Sequence, residues 1–245
     1  MNLKINVAPN SNQLAEIKNW LTDEYKKNEE GFLCNWNIIE NYFNRNELIV
    51  LLMDSVVIGF TTWKIEDEIV LIIDIAEIHP NYRAKSYGKF MMSETFMYCK
   101  DKGVMVVKLF CEPRSSYTFW KKMGFIDMPF VGFYQHELSL YKPLIDIQKP
   151  LEDNHFENEI LELWDCVPID SKVTYPKWTW SAKSIEGRIS PPILSPCCKD
   201  WKIRFSKNGR TITKSEVKSF SNDTSIMRNN FMFINKIDSI KNTSK

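Results

Sequence analysis

The chain has 245 residues, enough for one large domain or two small ones, and its 44% apolar content is ordinary for a protein that buries a core. A net charge of +1 excludes a global pull toward nucleic acid or an anionic membrane, and no apolar run is long enough to span a bilayer. The six cysteines form no CxxC pair and the three histidines are scattered, which excludes the usual paired spacing of a zinc site. A soluble cytoplasmic protein with reduced thiols is expected.

Leu3, Ile5 and Val7 alternate as in a strand, not as in a signal peptide. Ser11 or Asn12 can cap a helix with Leu14, Ile17, Trp20, Leu21 and Tyr25 on one face. A second helix is predicted over Trp36–Asn44, with Ile39, Tyr42 and Phe43 inward. Residues 47–53 and 56–65 read as strands joined by a tight turn at Asp54-Ser55. Residues 69–78 are a nearly continuous apolar run, as in a strand buried on both faces. A helix after Gly88 carries Met91, Met92, Thr95, Phe96 and Cys99 on one face, and Gly103 sits where its C-terminus needs a left-handed residue. Residues 104–110 form the next strand. Ser115 or Ser116 can cap a short helix through Met123, and strands follow around 125–133 and 135–141.

Lys149-Pro150 marks a boundary between domains at 1–148 and 149–245. From 151 to 170 the only charges are acidic, and Phe156, Ile160, Leu163 and Trp164 lie on one stripe of a predicted helix. A segment rich in proline and tryptophan follows, able to wall an acceptor site or to pack on the first domain. Trp201, Ile203 and Phe205 then alternate into an Asn208-Gly209 hairpin turn that sets Phe205 opposite Ile212. From Trp201 onward ten basic residues face three acidic ones, a net +7. The reading favoured is a basic tail that attracts the acidic helix face; nucleic acid is disfavoured as a partner because no aromatic-basic interleaving occurs.

The most informative segment is His79-Pro80-Asn81-Tyr82-Arg83-Ala84-Lys85-Ser86-Tyr87-Gly88, between an apolar strand and a helix. A helix N-terminus presents unpaired N–H groups and a partial positive charge, so it favours phosphate. Gly88 lets the backbone approach a ligand, and Arg83, Lys85 and Lys89 add charge. The alternative is a plain strand-to-helix turn with solvated basic residues.

The order of elements around Arg83-Ala84-Lys85-Ser86-Tyr87-Gly88 resembles the GCN5-related N-acetyltransferase (GNAT) family, whose phosphate turn reads Arg/Gln-x-x-Gly-x-Gly/Ala. Ile78-His79-Pro80-Asn81-Tyr82 resembles its lead-in, and Phe119-Trp120-Lys121-Lys122-Met123-Gly124-Phe125 its later aromatic signature. The resemblance covers residues 1–145. It implies an α/β fold with a mixed central sheet flanked by helices, here followed by a smaller C-terminal α+β extension. It also implies acetyl-CoA or another acyl-CoA as co-substrate, transfer to a primary amine of a small molecule or protein, and no metal; a homodimer is among the assemblies this reading admits. Carried over, the backbone N–H groups of Ala84, Lys85, Ser86, Tyr87 and Gly88 would hold the pyrophosphate. The strand edge at Ala76, Glu77 and Ile78 would pair with the pantetheine arm, beside a splay that holds the thioester.

The chain departs from the family pattern at Ser86 (usually glycine), Pro113 (often asparagine) and Trp120 (often the tyrosine that protonates the leaving thiolate). Tyr117, one turn earlier, is either a substitute acid or a packed aromatic. Asp74 interrupts the apolar strand and, by the period of two, shares a face with Ala76 and Ile78; it is a candidate general base or a structural Asp at a strand irregularity. Glu77 faces the other way. His79 is read as binding phosphate or packing, and Cys111 as an acyl carrier or, preferably, a buried thiol. Glu24, Glu29, Glu30 and Glu40 either attract a cationic substrate or form a solvated helix face, the latter favoured. Two rivals to acyl transfer remain: an acyl-CoA-binding sensor without turnover, and an interaction protein that uses its basic tail.

Overall fold

The computed structural model describes residues 2–29, 31–129, 138–152, 157–165, 175–220 and 226–236. They fall into two units, one of Met1–Ile126 with Leu138–Leu144 and one of Asp127–Glu137 with Ile145–Lys245.

The first unit opens with β1 (Leu3–Asn6) and α1 (Ser11–Asn28). The cap of α1 is Asn10 rather than Ser11 or Asn12. Its side chain accepts from the Gln13 N–H while the Gln13 side chain accepts from the Asn10 N–H, so two otherwise orphaned donors are satisfied reciprocally. Ile17, Trp20 and Leu21 are buried as their spacing predicts, but Tyr25 is exposed and Glu24 is buried in its place. α2 (Trp36–Asn44) buries Ile39 and Tyr42. β2 (Leu48–Met53) and β3 (Val56–Thr62) form a hairpin whose turn residues Asp54 and Ser55 both have positive φ, the twist a two-residue hairpin requires. Then come β4 (Lys64–Glu66), β5 (Val70–Ile73), β6 (Ala76–Ile78), α3 (Tyr87–Lys100), β7 (Val106–Phe110), α4 (Tyr117–Lys122), β8 (Ile126–Asp127) and β9 (Ser139–Pro143). Part of the strand pair expected between 125 and 141 lies outside the described residues.

Two runs expected as single strands are each broken. The run 56–65 divides at Trp63 and the run 69–78 divides at Asp74-Ile75, and their halves join different sheets. One sheet is ordered β1-β2-β3-β6 and the other β4-β5-β7-β9-β8. The breaks face each other. The Thr62 N–H donates to the Ile75 carbonyl (2.8 Å), the Ile75 N–H donates to Thr62 Oγ1 (2.9 Å), and Thr61 Oγ1 donates to the same carbonyl (3.0 Å). Both threonines are fully buried, and the Thr62 hydroxyl satisfies the Ile75 N–H that the interrupted ladder would otherwise orphan. Because β5 pairs parallel with β7 while β6 pairs antiparallel with β3, β6 and β7 diverge.

Two apolar clusters form among the described residues of the first unit. One gathers Leu71, Ile73, Val107 and Leu109 with Met91, Met92, Phe96 and Cys99 of α3 and Trp120 of α4. The other gathers Ile17, Trp20 and Leu21 of α1 and Ile39 of α2 with Leu48, Val50, Phe60 and Ile75.

The second unit contains β10 (Glu159–Trp164), β11 (Trp178–Ser181), β12 (Arg188–Pro196), β13 (Lys202–Lys207), β14 (Arg210–Glu216), β15 (Met227–Arg228) and β16 (Phe231–Lys236), in sheets ordered β11-β10-β13-β14 and β12-β16-β15. Residues 159–164 of the acidic segment predicted as a helix are therefore the strand β10, with Phe156 outside the described residues. Paired on both edges and burying Leu161 and Leu163 on one face, it obeys the two-residue alternation rather than the helical stripe. The hairpin register also differs from the one predicted. Phe205 faces Thr213, Ser206 faces Thr211, and Ile212 is the extra residue of a bulge. The expected attraction between acidic and basic segments takes the form of cross-strand pairs, Lys207 with Glu159 (2.6 Å) and Arg204 with Glu162. Among the described residues no helix is long and apolar enough to cross a membrane.

Gly59 of β3 marks the tightest approach between β3 and β6. A Cβ there would lie 2.5 Å from Ile78 Cδ1 and 2.9 Å from the Glu77 carbonyl oxygen, and the carbonyl cannot yield without moving β6. Gly59→Ala is expected to lower stability by about 1–3 kcal/mol, seen as a lower urea midpoint in equilibrium unfolding.

Candidate functional site

The divergence of β6 from β7 opens a cleft of about 540 Å³. Its walls come from Ile73, Asp74, Ala76, Glu77 and Ile78 on one side and Leu109 and Phe110 on the other. The turn at Arg83 and Ala84, the first turns of α3, Phe119 and Trp120 of α4, and Phe32 complete it. The cleft brings together every predicted site residue except Lys85 and Tyr117.

The backbone prepares two kinds of contact there. The Ile75 carbonyl and the His79 N–H bond to β3, so by antiparallel alternation the backbone groups of Ala76 and Ile78 point away from β3. The Ile78 carbonyl is taken by Arg83 Nε (2.9 Å), which leaves the Ala76 groups and the Ile78 N–H as the strand's open edge. At the start of α3 the Ser86 side chain makes no capping bond, and the N–H groups of the first turn have no partner within the helix. Tyr87, Gly88 and Lys89, which carry those groups, line the cleft, and Lys122 adds a second cation at its wall.

The turn into α3 is strained. Ala84 (φ 61°) and Ser86 (φ 64°) both adopt the left-handed conformation, which costs a residue with a Cβ about 1 kcal/mol or more. Ser86 thus occupies a position that calls for glycine. Gly88, by contrast, has no positive φ, and a Cβ on it would make ordinary contacts with Ile78 and Phe119 at 3.5–3.6 Å.

Arg83 is not a free phosphate-facing cation. Besides the Ile78 carbonyl it pairs through Nη2 with Glu24 Oε1 and with Glu77 Oε1, both at 2.6 Å. Glu24, expected on a solvated face, has a side chain only 4% exposed. Lys85 turns back to donate to the Asn81 carbonyl (3.1 Å) and does not reach the cleft. His79 caps the turn through Nδ1, which accepts from the Asn81 N–H, and its ring packs between Trp20 and Tyr82. Burial lowers its pKa.

The two carboxylates of the broken strand differ. Asp74 is exposed and accepts a hydrogen bond from the hydroxyl of buried Tyr42, whose own pKa is driven up by burial and by Asp74. The strand break means that Asp74 does not continue the alternation of Ala76 and Ile78. Glu77 is nearly buried, and burial together with the nearby Glu24 raises its carboxyl to about 7 against the opposing pull of Arg83. Its Oε2 is buried without a hydrogen-bond partner.

On α4, Trp120 fills the cleft wall, stacked edge-on against Phe119 and Phe125. Tyr117 packs against the core with Lys121 over its ring and does not line the cleft, so the predicted acid is not brought to the site. Cys111 is fully buried and likewise does not line the cleft, as a structural thiol would be. No cluster of metal ligands occurs among the described residues. Sequence reasoning missed Phe32 and the Glu24–Arg83 pair, whose partners lie 59 residues apart and carry no local signal.

Residues 14–125 match the family model described as Acetyltransferase (GNAT) family. A search of curated proteins returned no match. Similar solved structures include the PaiA N-acetyltransferase from Thermoplasma acidophilum in complex with coenzyme A, at 18% identity over 58% of this chain and 99% of that one, TM-score 0.47. Another is Ard1 from Thermoplasma volcanium, at 12% identity over 60% of this chain and 100% of that one, TM-score 0.46. A third is an acetyltransferase of the GNAT family from Staphylococcus aureus Mu50, at 16% identity over 59% and 100%, TM-score 0.45.

Two outcomes follow from the strained turn and the buried carboxyl. Ser86→Gly is expected to raise stability by about 1 kcal/mol in urea unfolding, because glycine adopts the left-handed conformation without strain. For Glu77 the folded-state pKa is raised, so the stability it contributes is fully present below the ordinary carboxyl pKa and is lost as pH rises through about 7. Glu77→Gln is therefore expected to be near neutral at pH 5 and to gain on the parent at pH 8 by on the order of 2 kcal/mol, as read from thermal melts at the two pH values.

Proposed function

With residues 14–125 belonging to the GNAT acetyltransferase family, we propose that the protein transfers an acetyl group from acetyl-CoA, or an acyl group from a related thioester, to a primary amine. The observation that carries this reading is the convergence, in one cleft, of an open strand edge, an uncapped helix N-terminus and a buried carboxylate with a free oxygen.

The residues present fit an acyl-CoA. The first-turn N–H groups of α3, carried by Tyr87, Gly88 and Lys89, would hold the pyrophosphate, with Lys89 and Lys122 supplying charge. The open edge of β6 at Ala76 and Ile78 would bond to the amides of the pantetheine arm. When bound, the thioester supplies an activated carbonyl and a thiolate leaving group. Everything else falls to the chain. Glu77, rather than the exposed and already bonded Asp74, is the group suited to take a proton from an incoming ammonium, since a carboxyl near 7 is half-charged at neutral pH. Its side chain lies on the α1 side of the sheet, beside Glu24, so the acceptor would approach from the α1 face. No α4 tyrosine stands at the cleft, and the thiolate would regain its proton from solvent. Residues 149–245 are proposed to form a separate domain outside the family match.

The test is a calorimetric titration with acetyl-CoA of the parent and of Gly88→Trp, whose bulk would fill the approach to α3, followed by an assay of amine-dependent thiol release. Binding by the parent, its loss in the variant, and a turnover that falls about 100-fold or more in Glu77→Gln are expected. Binding without thiol release for any amine would favour a sensor that does not turn over, and absence of binding by folded parent would overturn the reading.

A further inference from the structure

The Arg83 contacts do more than anchor a turn. A guanidinium with one carboxylate forms a balanced pair. Here one Nη2 is shared between two, Glu24 from α1 and Glu77 from β6, each at 2.6 Å. The arrangement is short of one positive charge, and its two carboxylates are buried: the side chains of Glu24 and Glu77 are 4% and 9% exposed, while that of Arg83 is 43% exposed. Each carboxylate also keeps a second oxygen, Oε2, buried and without a partner. Two desolvated carboxylates in competition for one part-exposed guanidinium are a costly way to fasten a loop, because removing a carboxylate from water is repaid only when it is fully paired. The same cost has a use if one of the two must exchange a proton.

We propose that Glu24 is a positioning residue for acyl transfer: by competing for the Arg83 guanidinium from α1, it keeps Glu77 only partly neutralised and so able to accept the proton of an amine acceptor. This rests on the reading of Glu77 as the base. Glu24 does not line the cleft and acts only through Arg83 and Glu77. Its own position is fixed by the α1–α2 connection, where a Cβ on Gly31 (φ 88°) would lie 2.9 Å from Glu24 Oε2. The charged groups that act on Glu77 are Glu24, which raises its pKa, and Arg83, which lowers it. His79, against Trp20 of the same helix, has its pKa lowered by burial.

The test does not depend on turnover. Full-length protein labelled with 13C at the glutamate side-chain carboxyls is titrated by NMR, with the Glu77 resonance assigned by its absence in Glu77→Gln. The parent is expected to titrate Glu77 near 7. Glu24→Gln should lower that midpoint by about one pH unit or more, and Arg83→Gln should raise it, because the two neighbours carry opposite charge. A merely structural role would not move the midpoint in opposite directions. A Glu77 midpoint unchanged or raised in Glu24→Gln overturns the proposal. So does a parent midpoint below 5, which needs no variant to fold. Where amine-dependent thiol release is measurable, the acidic limb of its pH–rate profile should move with the NMR midpoint. An NMR shift without any turnover in the parent counts against the proposed reaction and hence against Glu24 as its positioning residue, whereas turnover with an unmoved midpoint counts against Glu24 alone.

Discussion

The first unit depends on the paired interruption of two apolar strands. A hairpin running from Val56 through the turn at Asp67 and Glu68 to Ile78 would, unbroken, belong to a single sheet. Instead its outer half (β4 and β5) pairs into one sheet and its inner half (β3 and β6) into another. The Ile75 N–H, which such a break would leave unpaired in an apolar interior, is taken up by Thr62 Oγ1, while the Ile75 carbonyl keeps the Thr62 N–H and adds the Thr61 hydroxyl. An unsatisfied buried backbone group costs a few kcal/mol, so the Thr62 hydroxyl offsets what the break would otherwise cost. From it follow the divergence of β6 and β7, the open edge at Ala76 and Ile78, and the cleft itself.

The same break separates the roles of neighbouring carboxylates. Asp74 falls in the gap and is drawn to Tyr42; Glu77 stays in the ladder and is carried under α1, into contact with Arg83 and within the influence of Glu24. Three residues apart in sequence, they meet different surroundings because one belongs to a strand and the other does not. The turn that follows is shaped by a conflict of its own. Ala84 and Ser86 hold left-handed backbone without glycine, while Arg83 ties the turn to β6 and α1. Strain in the turn is offset by these bonds, and the uncapped first turn of α3 is held facing the cleft.

The second unit solves a different problem. Its acidic and basic segments, adjacent strands of one sheet, neutralise each other in register, Glu159 with Lys207 and Glu162 with Arg204. Trp178 lies near Trp201, and Lys177 lies over both rings at 5.0 and 5.3 Å, so the aromatic segment is engaged within its own unit. Of the basic tail counted from the sequence, Lys202, Arg204, Lys207 and Lys218 stand in ion pairs in the folded unit.

The sequence by itself determined what is set by local chemistry and by period. The α3 stripe of Met91, Met92, Thr95, Phe96 and Cys99 is buried as its spacing requires, Gly103 has the positive φ a helix end requires, and the Asp54-Ser55 and Asn208-Gly209 turns follow from backbone twist. The strand–turn–helix around Arg83 to Gly88, and the aromatic run ending in Gly124-Phe125, carried the resemblance to the family whose model matches residues 14–125 and supplied most of the cleft's residues. Tertiary structure alone decided the rest. Residues 159–164 fit a helical stripe until strands on both edges supply ladder partners. The run 69–78 reads as one strand until Thr61 and Thr62 meet Ile75. Glu24 reads as a solvated charge until folding sets it 2.6 Å from an arginine 59 residues away. Such contacts have no period and no local preference to announce them; their energy comes from desolvation and charge, which exist only once the chain has brought the groups together.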